Sequence, residues 1–378
     1  MGVNDEKHPI RFLGIETSCD ETALAVVQKS ADGTHQILAE KIYSQTDEHL
    51  IFGGVVPEIA ARAHIEKIDN LCSLVLNELK DQHGLSLNDL DGIAATSGPG
   101  LIGGVMVGLS YAKGLSLATG LRLYGINHLE GHALSAQLSQ IVPMPYLLLL
   151  VSGGHCQLLW VAGLGCYERL GTTIDDAAGE ALDKVAKVLG LDYPGGPMIE
   201  KEALLGNENR FPLPIALKGH KGCDFSFSGL KTKASSLALE EVKTKQDRSD
   251  LCASLQKAVF DQLIIRTKAA IALLLHERGL EFKTVVVAGG VAANKTLRAK
   301  LENLCEGEGL NLLTPPLAHC TDNAAMIALC GIAHYQSGLR PSLSDGLRLG
   351  ARPRWPLDVL KACSDPIHKR PGSKGAKA

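Results

Sequence analysis

An α/β protein built as two similar halves is the architecture these 378 residues call for. Two stretches carry that expectation. Apolar runs at 10–16 and 23–27 flank the polar turn Thr17-Ser18-Cys19-Asp20-Glu21-Thr22, and runs at 144–151 and 156–162 flank Ser152-Gly153-Gly154-His155. Each pair is followed by a third strand, at 36–43 and again at 167–174, so the second half repeats the pattern of the first without repeating its residues.

In chain order, residues 10–16 form the first strand, and the turn after it is small and polar enough to wrap a phosphate with amides and hydroxyls. Asp20 and Glu21 would repel that phosphate unless a cation or a proton intervened. Taken alone, they fit a solvated acidic turn equally well. Residues 57–80 read as a long amphipathic helix and 91–96 as a strand. Ser97-Gly98-Pro99-Gly100 then opens a helix over 101–119, and Gly103, Gly104 and Gly108 thin it so that another backbone can pack closely. This turn lacks the Gly-Lys-Ser/Thr ending of a P-loop. A strand at 121–126 delivers Asn127-His128-Leu129-Glu130-Gly131-His132.

Two histidines four apart on a helix share one face, so both rings can reach one metal ion. Asn127 suits the N-cap, and the helix dipole at His128 disfavours the imidazolium. Gly131 leaves room for a close approach. The pair alone does not make a metal site; a third ligand has to come from elsewhere in the chain.

In the second half, the turn Ser152–His155 is better suited to cradling a phosphate than to nucleophilic catalysis, since no aspartate partner for a serine–histidine pair is evident. A helix is expected over 175–189, with Asp176, Glu180, Asp183 and Lys184 on a polar face. Residues 192–197 read as a sharp loop, 210–221 as irregular, and Phe225–Thr232 as an alternating stretch whose simplest form is an edge strand. Lys218, His220, Lys221, Lys231 and Lys233 make this the most basic internal region, and a solvated face accounts for that charge by itself. A long apolar helix over 251–278 leads to a strand at 284–288. Gly289-Gly290 then lets a base or ribose lie on the backbone, with Asn294 as a polar anchor before a helix to about residue 305. After a strand at 310–314, Asp322-Asn323 opens a helix over 324–337. Asp322 is either its N-cap or the missing carboxylate ligand.

Composition limits the choices. Hydrophobic residues are 45% and charged residues 21%, as in an ordinary globular protein, while aromatics are only 4% against 40 glycines. That balance favours turns around a nucleotide over a base-stacking platform. A formal net charge of −3 excludes a generic nucleic-acid binder, so RNA contact needs a local patch or a partner. The ten cysteines form no CxxC pair and are expected as free thiols of a reducing compartment, with a thiolate role conceivable for Cys19, Cys156 and Cys320. No apolar run reaches membrane-spanning length, and residues 1–9 resemble no export signal, so a cytoplasmic protein is expected.

Six stretches in register, Gly14-Ile-Glu-Thr-Ser-Cys-Asp-Glu-Thr22, Ser97-Gly-Pro-Gly100, Asn127-His-Leu-Glu-Gly-His132, Val151-Ser-Gly-Gly-His155, Phe225-Ser-Phe-Ser-Gly-Leu-Lys231 and Ala288-Gly-Gly-Val-Ala-Ala-Asn294, resemble the TsaD family over about residues 10–352. The resemblance is to its bacterial cytosolic form and implies a duplicated ASKHA fold (actin-like ATPase, sugar kinase-like) of two lobes with a central cleft. An N-terminal lobe over 8–127, completed by 323–352, and a C-terminal lobe over 128–322 are expected, with a disordered basic tail at 357–378. The implied activity is transfer of threonylcarbamoyl from threonylcarbamoyl-AMP to N6 of adenosine 37 in tRNAs reading ANN codons. The implied metal ligands are His128, His132 and Asp322, holding Fe2+ or Zn2+. The implied contacts to the nucleotide intermediate are Val151, Ser152, Gly153, Gly154, His155, Asp183, Gly196 and Asn294. Asp20 or Glu21 is the candidate to orient or deprotonate the amine. Besides tRNA, the implied partners are a TsaB-like paralogue and a TsaE-like ATPase, with a TsaC-type enzyme supplying the intermediate.

Three other functions compete. A zinc peptidase needs its glutamate beside the metal-bound water, but Glu130 lies about 200° round the helix from His128. An ATP phosphotransferase of the same fold would suit the glycine turns but not a His/His/Asp site, because kinases hold magnesium through carboxylates and phosphates. A non-catalytic scaffold would have no use for either motif.

Overall fold

The computed structural model describes residues 8–52 and 54–364. They form two compact units, one running up to Val142 and resumed over Pro315–Leu357, the other Pro143–Thr314 with the segment from Asp358.

In the first unit the chain lays down β1 (Ile10–Glu16), β2 (Glu21–Lys29), β3 (His35–Ser44), α1 (Thr46–Leu50), α2 (Pro57–His83), β4 (Gly92–Gly98), α3 (Ile102–Thr119), β5 (Leu123–Asn127) and α4 (His128–Leu134). The sheet order is β3-β2-β1-β4-β5. The first three strands pair antiparallel and β1, β4 and β5 pair parallel. Residues Phe12, Leu13 and Ile15 of β1 are buried on both faces, as a strand covered by helices on each side requires. α2 begins with Pro57 in its first turn, buries Ala60, His64, Ile68, Leu71, Val75 and Leu79 along one stripe, and ends on Gly84 at φ 66°.

The second unit repeats this plan with β6 (Tyr146–Val151), β7 (Cys156–Gly163), β8 (Cys166–Thr172), α5 (Ala178–Val188), α6 (Gly195–Ala203), α7 (Ser228–Glu240), α8 (Lys245–Ala272), β9 (Thr284–Ala288), α9 (Lys295–Gly307) and β10 (Asn311–Leu313). Its order, β8-β7-β6-β9-β10, has the same antiparallel and parallel relations as the first sheet, so the duplication expected from two strand–turn–strand openings extends to the whole sheet. Its core joins Leu147, Leu149 and Val151 of β6 to Val285 and Val287 of β9, with Leu255, Val259 and Leu263 of α8 packed against them.

The chain then returns to the first unit with α10 (Ala324–Gln336) and α11 (Leu343–Arg348), and ends in the second with α12 (Val359–Ser364).

Several boundaries differ from the sequence expectation. α4 packs with the first unit rather than opening the second, because a Cβ on Gly131 would lie 3.0 Å from Ile327 and 3.1 Å from Met326 of α10. The segment from Pro315, including Asp322, belongs there too. The expected loop at 192–197 is the start of α6, whose first two amides are received by Asp183. The expected edge strand contributes a single bridge, Phe225 to Thr173, before Ser228 opens α7. Alternation there comes from burying Phe225 and Phe227, not from strand pairing. Of the tail expected to be disordered, 359–364 is helical; 365–378 lies outside the described residues.

Candidate metal centre and glycine turns

The His128 helix starts where β5 ends. Asn127 caps it as expected, its side-chain oxygen accepting from the Leu129 amide at 2.9 Å. Its other side-chain atom, Nδ2, donates to the Trp355 carbonyl at 2.8 Å. Both histidines are buried, with ring centroids 4.8 Å apart. The third ligand comes from the other end of the unit's chain. Asn323 is the N-cap of α10, accepting from the Met326 amide at 2.9 Å, and this settles the alternative for Asp322. Asp322 Oδ1 instead lies 3.0 Å from His132 Nε2 and 3.5 Å from His128 Nε2.

One ligand atom from each of His128, His132 and Asp322 lies within 4.8 Å of the others. Ligands at the usual 2.0–2.2 Å around a tetrahedral cation stand roughly 3.4 Å apart, so these residues fit a divalent metal ion. Asp322 is partly exposed while both imidazoles are buried, which leaves the open side of the group on the carboxylate.

Glu16, at the end of β1, is the functional residue the sequence reading missed. It is fully buried, and its Oε2 accepts from His128 Nδ1 at 3.0 Å and from Thr96 Oγ1 at 2.6 Å, while Oε1 accepts from the Ser18 amide at 2.5 Å. A carboxylate holding Nδ1–H leaves the Nε2 lone pair facing Asp322, the arrangement that orients a metal-ligating histidine. The signal in the sequence is the one acidic residue of β1, closing the buried stretch from Phe12. Burial works against the Glu16 carboxylate, but His128 holds it below its ordinary range. Burial likewise pulls the His128 imidazole down, yet Asp322 and then Glu16 carry it up to about 9. The helix-dipole argument for a neutral His128 is therefore outweighed by two carboxylates.

Glu130 points away from the group, as its helical offset implied. Its Oε2 accepts from His334 Nε2 of α10 at 2.7 Å.

Asp20 closes the turn after β1, and Glu21 opens β2. Burial, then Asp322 and Asp20, push the Glu21 carboxyl well above the usual range. The turn is fixed from behind. His64 Nε2 donates to the Cys19 carbonyl at 3.1 Å, its Nδ1 lies 2.8 Å from Thr22 Oγ1, and the Gln45 amide donates to the Asp20 carbonyl at 3.0 Å. Glycines of α3 make the close approach expected of them: a Cβ on Gly104 or Gly108 would meet Thr17 at 2.4 or 2.2 Å. The Cys19 thiol is pushed well up by burial and by Asp20, and Cys156 and Cys320 are buried, so none offers an accessible thiolate.

In the second unit, the turn after β6 closes on itself. The Ser152 amide donates to the His155 carbonyl at 2.8 Å, and the His155 amide donates to Ser152 Oγ at 3.1 Å. Gly153 and Gly154 are exposed, with open space where a Cβ would stand. The N-terminal end of α5 abuts this turn, since a Cβ on Gly179 would lie 2.7 Å from the Ser152 carbonyl. Gly289 reaches it from β9: its φ is 95°, and a Cβ would lie 2.4 Å from the Val151 carbonyl. Three glycine-bearing segments thus meet at the carboxyl ends of parallel strands, where open α/β sheets bind ligands. Asp183 Oδ1 accepts from the Gly195 and Gly196 amides at 2.8 and 3.3 Å. Asn294 caps α9 through the Leu297 amide at 3.1 Å and donates to Gln256 at 3.0 Å. Both side chains fix backbone turns.

No helix among the described residues is long and apolar enough to cross a membrane.

The family model for TsaD, tRNA N6-adenosine threonylcarbamoyltransferase, matches residues 36–329. Curated relatives bearing that name are 54% identical in Caulobacter vibrioides, over 97% of this chain and 97% of the relative, and 53% identical in Maricaulis maris, over 98% and 96%. Among solved structures, full-length HypF in its phosphate- and nucleotide-bound form has a TM-score of 0.54 at 14% identity, over 88% of this chain and 56% of that one. HypF of T. kodakarensis has a TM-score of 0.53 at 15% identity, over 88% and 48%. The HypF likeness supports the duplicated α/β fold alone, whereas the sequence matches run nearly end to end, and the chain belongs to the TsaD family of tRNA N6-adenosine threonylcarbamoyltransferases.

Proposed function

We infer that this chain transfers the threonylcarbamoyl group of threonylcarbamoyl-AMP to N6 of adenosine 37 in tRNAs reading ANN codons, releasing AMP. The observation that carries this reading is the family match, because its span takes in His128, His132 and Asp322 together with every proposed nucleotide contact from Val151 to Asn294.

When bound, a divalent cation at His128, His132 and Asp322 supplies a Lewis acid for a phosphate or carbonyl oxygen. Fe2+ is our first assignment and Zn2+ the second, since two imidazoles and one carboxylate suit both. The chain's own residues do the rest. In the transfer, the N6 nitrogen bonds to the carbamoyl carbon, the bond from that carbon to the AMP phosphate oxygen breaks, and N6 gives up a proton. AMP leaves as a stabilised phosphate, so no enzyme nucleophile is required. We assign orientation of the amine or acceptance of its proton to Asp20 or Glu21. Glu21 lies close enough to Asp322 and Asp20 for both to lift its carboxyl above the ordinary range, after burial. The backbone of Ser152, Gly153, Gly154 and His155 is the phosphate cradle in this reading, with Val151, Gly196 and the turns fixed by Asp183 and Asn294 shaping the nucleotide surface.

The alternatives fit less well. Glu130 is engaged with His334, which deprives a peptidase of its general base. A phosphotransferase would share the fold but has no use for the His/His/Asp group. We propose a cytoplasmic enzyme acting with a TsaB-like paralogue and a TsaE-like ATPase on an intermediate from a TsaC-type enzyme. The test is reconstitution: the chain with these partners, ATP, threonine, bicarbonate and unmodified tRNA should yield threonylcarbamoyladenosine by nucleoside mass spectrometry. His128→Ala and Asp322→Ala should abolish it; product formed at the normal rate by both variants would overturn the reading.

A further inference from the structure

We propose that the loop Ala216-Leu217-Lys218-Gly219-His220-Lys221-Gly222 is a preordered cationic surface that grips the phosphate backbone of the tRNA substrate, an inference that rests on the function proposed above.

With a net charge of −3, the chain needs a local patch to meet a polyanion. Several surface lysines of the second unit are neutralised by carboxylates: Lys184 with Glu180 at 2.7 Å, Lys257 with Glu208 at 2.7 Å, Lys300 with Asp261 at 2.7 Å and Lys231 with Asp176 at 2.5 Å. Lys218, His220 and Lys221 are exposed, and the side chains of both lysines have no partner among the described residues. Asp224, two residues past the loop, accepts from the Thr172 amide at 2.9 Å.

The loop is also built with unusual care. Buried Arg266 of α8 reaches up and donates to the carbonyls of His220 at 2.9 Å and Gly222 at 3.0 Å, and to that of Leu217. Gln262, one turn earlier, donates to the Ala216 carbonyl at 3.3 Å. A planar guanidinium clamping three carbonyls fixes the loop's shape and puts an additional positive charge beneath it, one met by no carboxylate ion pair among the described residues. Leu217 is held at φ 56°, alone among the described non-glycine residues in having a positive φ, and it is followed by glycines at φ 80° and 104°. A merely solvated loop has no need of such strain, which persists where the surroundings impose a working shape. Lysines held in a fixed loop bind phosphate with less ordering cost than mobile ones.

The test is the salt dependence of tRNA use in the reconstituted reaction, comparing Lys218→Ala/Lys221→Ala with wild type. The double variant should raise KM for tRNA roughly tenfold near 0.1 M salt and reduce the slope of log(kcat/KM) against log salt by about 2, one for each phosphate left without its lysine. Lys218→Arg/Lys221→Arg should restore both. Lys257→Ala, which removes one lysine elsewhere on the unit, should change neither. An unchanged KM and slope in the double variant, or an equal effect from Lys257→Ala, overturns the proposal. Failure of the proposed function would show separately, as absence of product from the wild type.

Discussion

Replacing Glu16 by glutamine removes one charge and no volume from a fully buried position. Its two carboxylate oxygens receive the Ser18 amide, the Thr96 hydroxyl and the His128 Nδ1 proton at 2.5, 2.6 and 3.0 Å. An amide side chain has one accepting oxygen, so at least one of these donors must face an NH2 group instead. If His128 loses, its ring is no longer fixed with Nε2 toward Asp322. Removing an outer partner of this kind costs about 10- to 100-fold in metal affinity, or about 1.4 to 2.7 kcal/mol. The assay is competition of the purified, chelator-stripped chain against a chromophoric chelator with Zn2+, and with Co2+ so that the ligand field can be read from its visible bands. Glu16→Gln should bind both ions more weakly, with altered cobalt bands, while its melting temperature shows that it is folded. A folded Glu16→Gln chain with wild-type affinity and spectrum would refute the argument that Glu16 orients the ligand.

The same geometry sets other measurable outcomes. His128 titrates higher in the folded chain than in the unfolded one, so in metal-free protein its stabilising contribution is complete below about pH 6.5 and disappears as pH rises through about 9. Thermal melts of the stripped chain should therefore fall between pH 6.5 and 9 more than those of His128→Gln. Gly153→Ala has open space and should change stability by less than about 0.5 kcal/mol, yet raise KM for threonylcarbamoyl-AMP if that backbone cradles its phosphate. Gly289→Ala, by contrast, drives a Cβ into the Val151 carbonyl at positive φ and should destabilise by about 1 to 3 kcal/mol in a denaturant titration. Glu21→Gln should slow single-turnover transfer from supplied threonylcarbamoyl-AMP while leaving metal content intact; an unchanged rate would remove Glu21 from the proton path.

Periodicity and turn chemistry make most of the fold legible. β1 and β6 stand where their apolar runs place them, and α2 and α3 lie within a few residues of expectation, because those runs end at glycine, proline or a polar cap. α6 escapes a reading of this kind because it opens with Gly195-Gly196-Pro197, a loop signal that becomes a helix start only when Asp183 receives its first amides. The boundary between units is hidden because a chain that leaves a unit at Val142 and returns at Pro315 gives no local sign of doing so. At the candidate metal group, helical spacing places His128 and His132 on one face, but Asp322 lies 190 residues from His132 and enters as a ligand through the family resemblance. Glu16 lies 112 residues from His128, and nothing local in the sequence pairs them.

The central claim, that threonylcarbamoyl transfer depends on a cation held by His128, His132 and Asp322, is tested most directly by a single turnover. The chain is stripped with chelator and mixed with its partners, threonylcarbamoyl-AMP and unmodified tRNA, and one equivalent of Fe2+ or Zn2+ is then added. Modified adenosine should be absent before the addition and appear after it, and Asp322→Ala should not be restored. Product formed by the metal-free chain at the rate of the restored one would contradict the account.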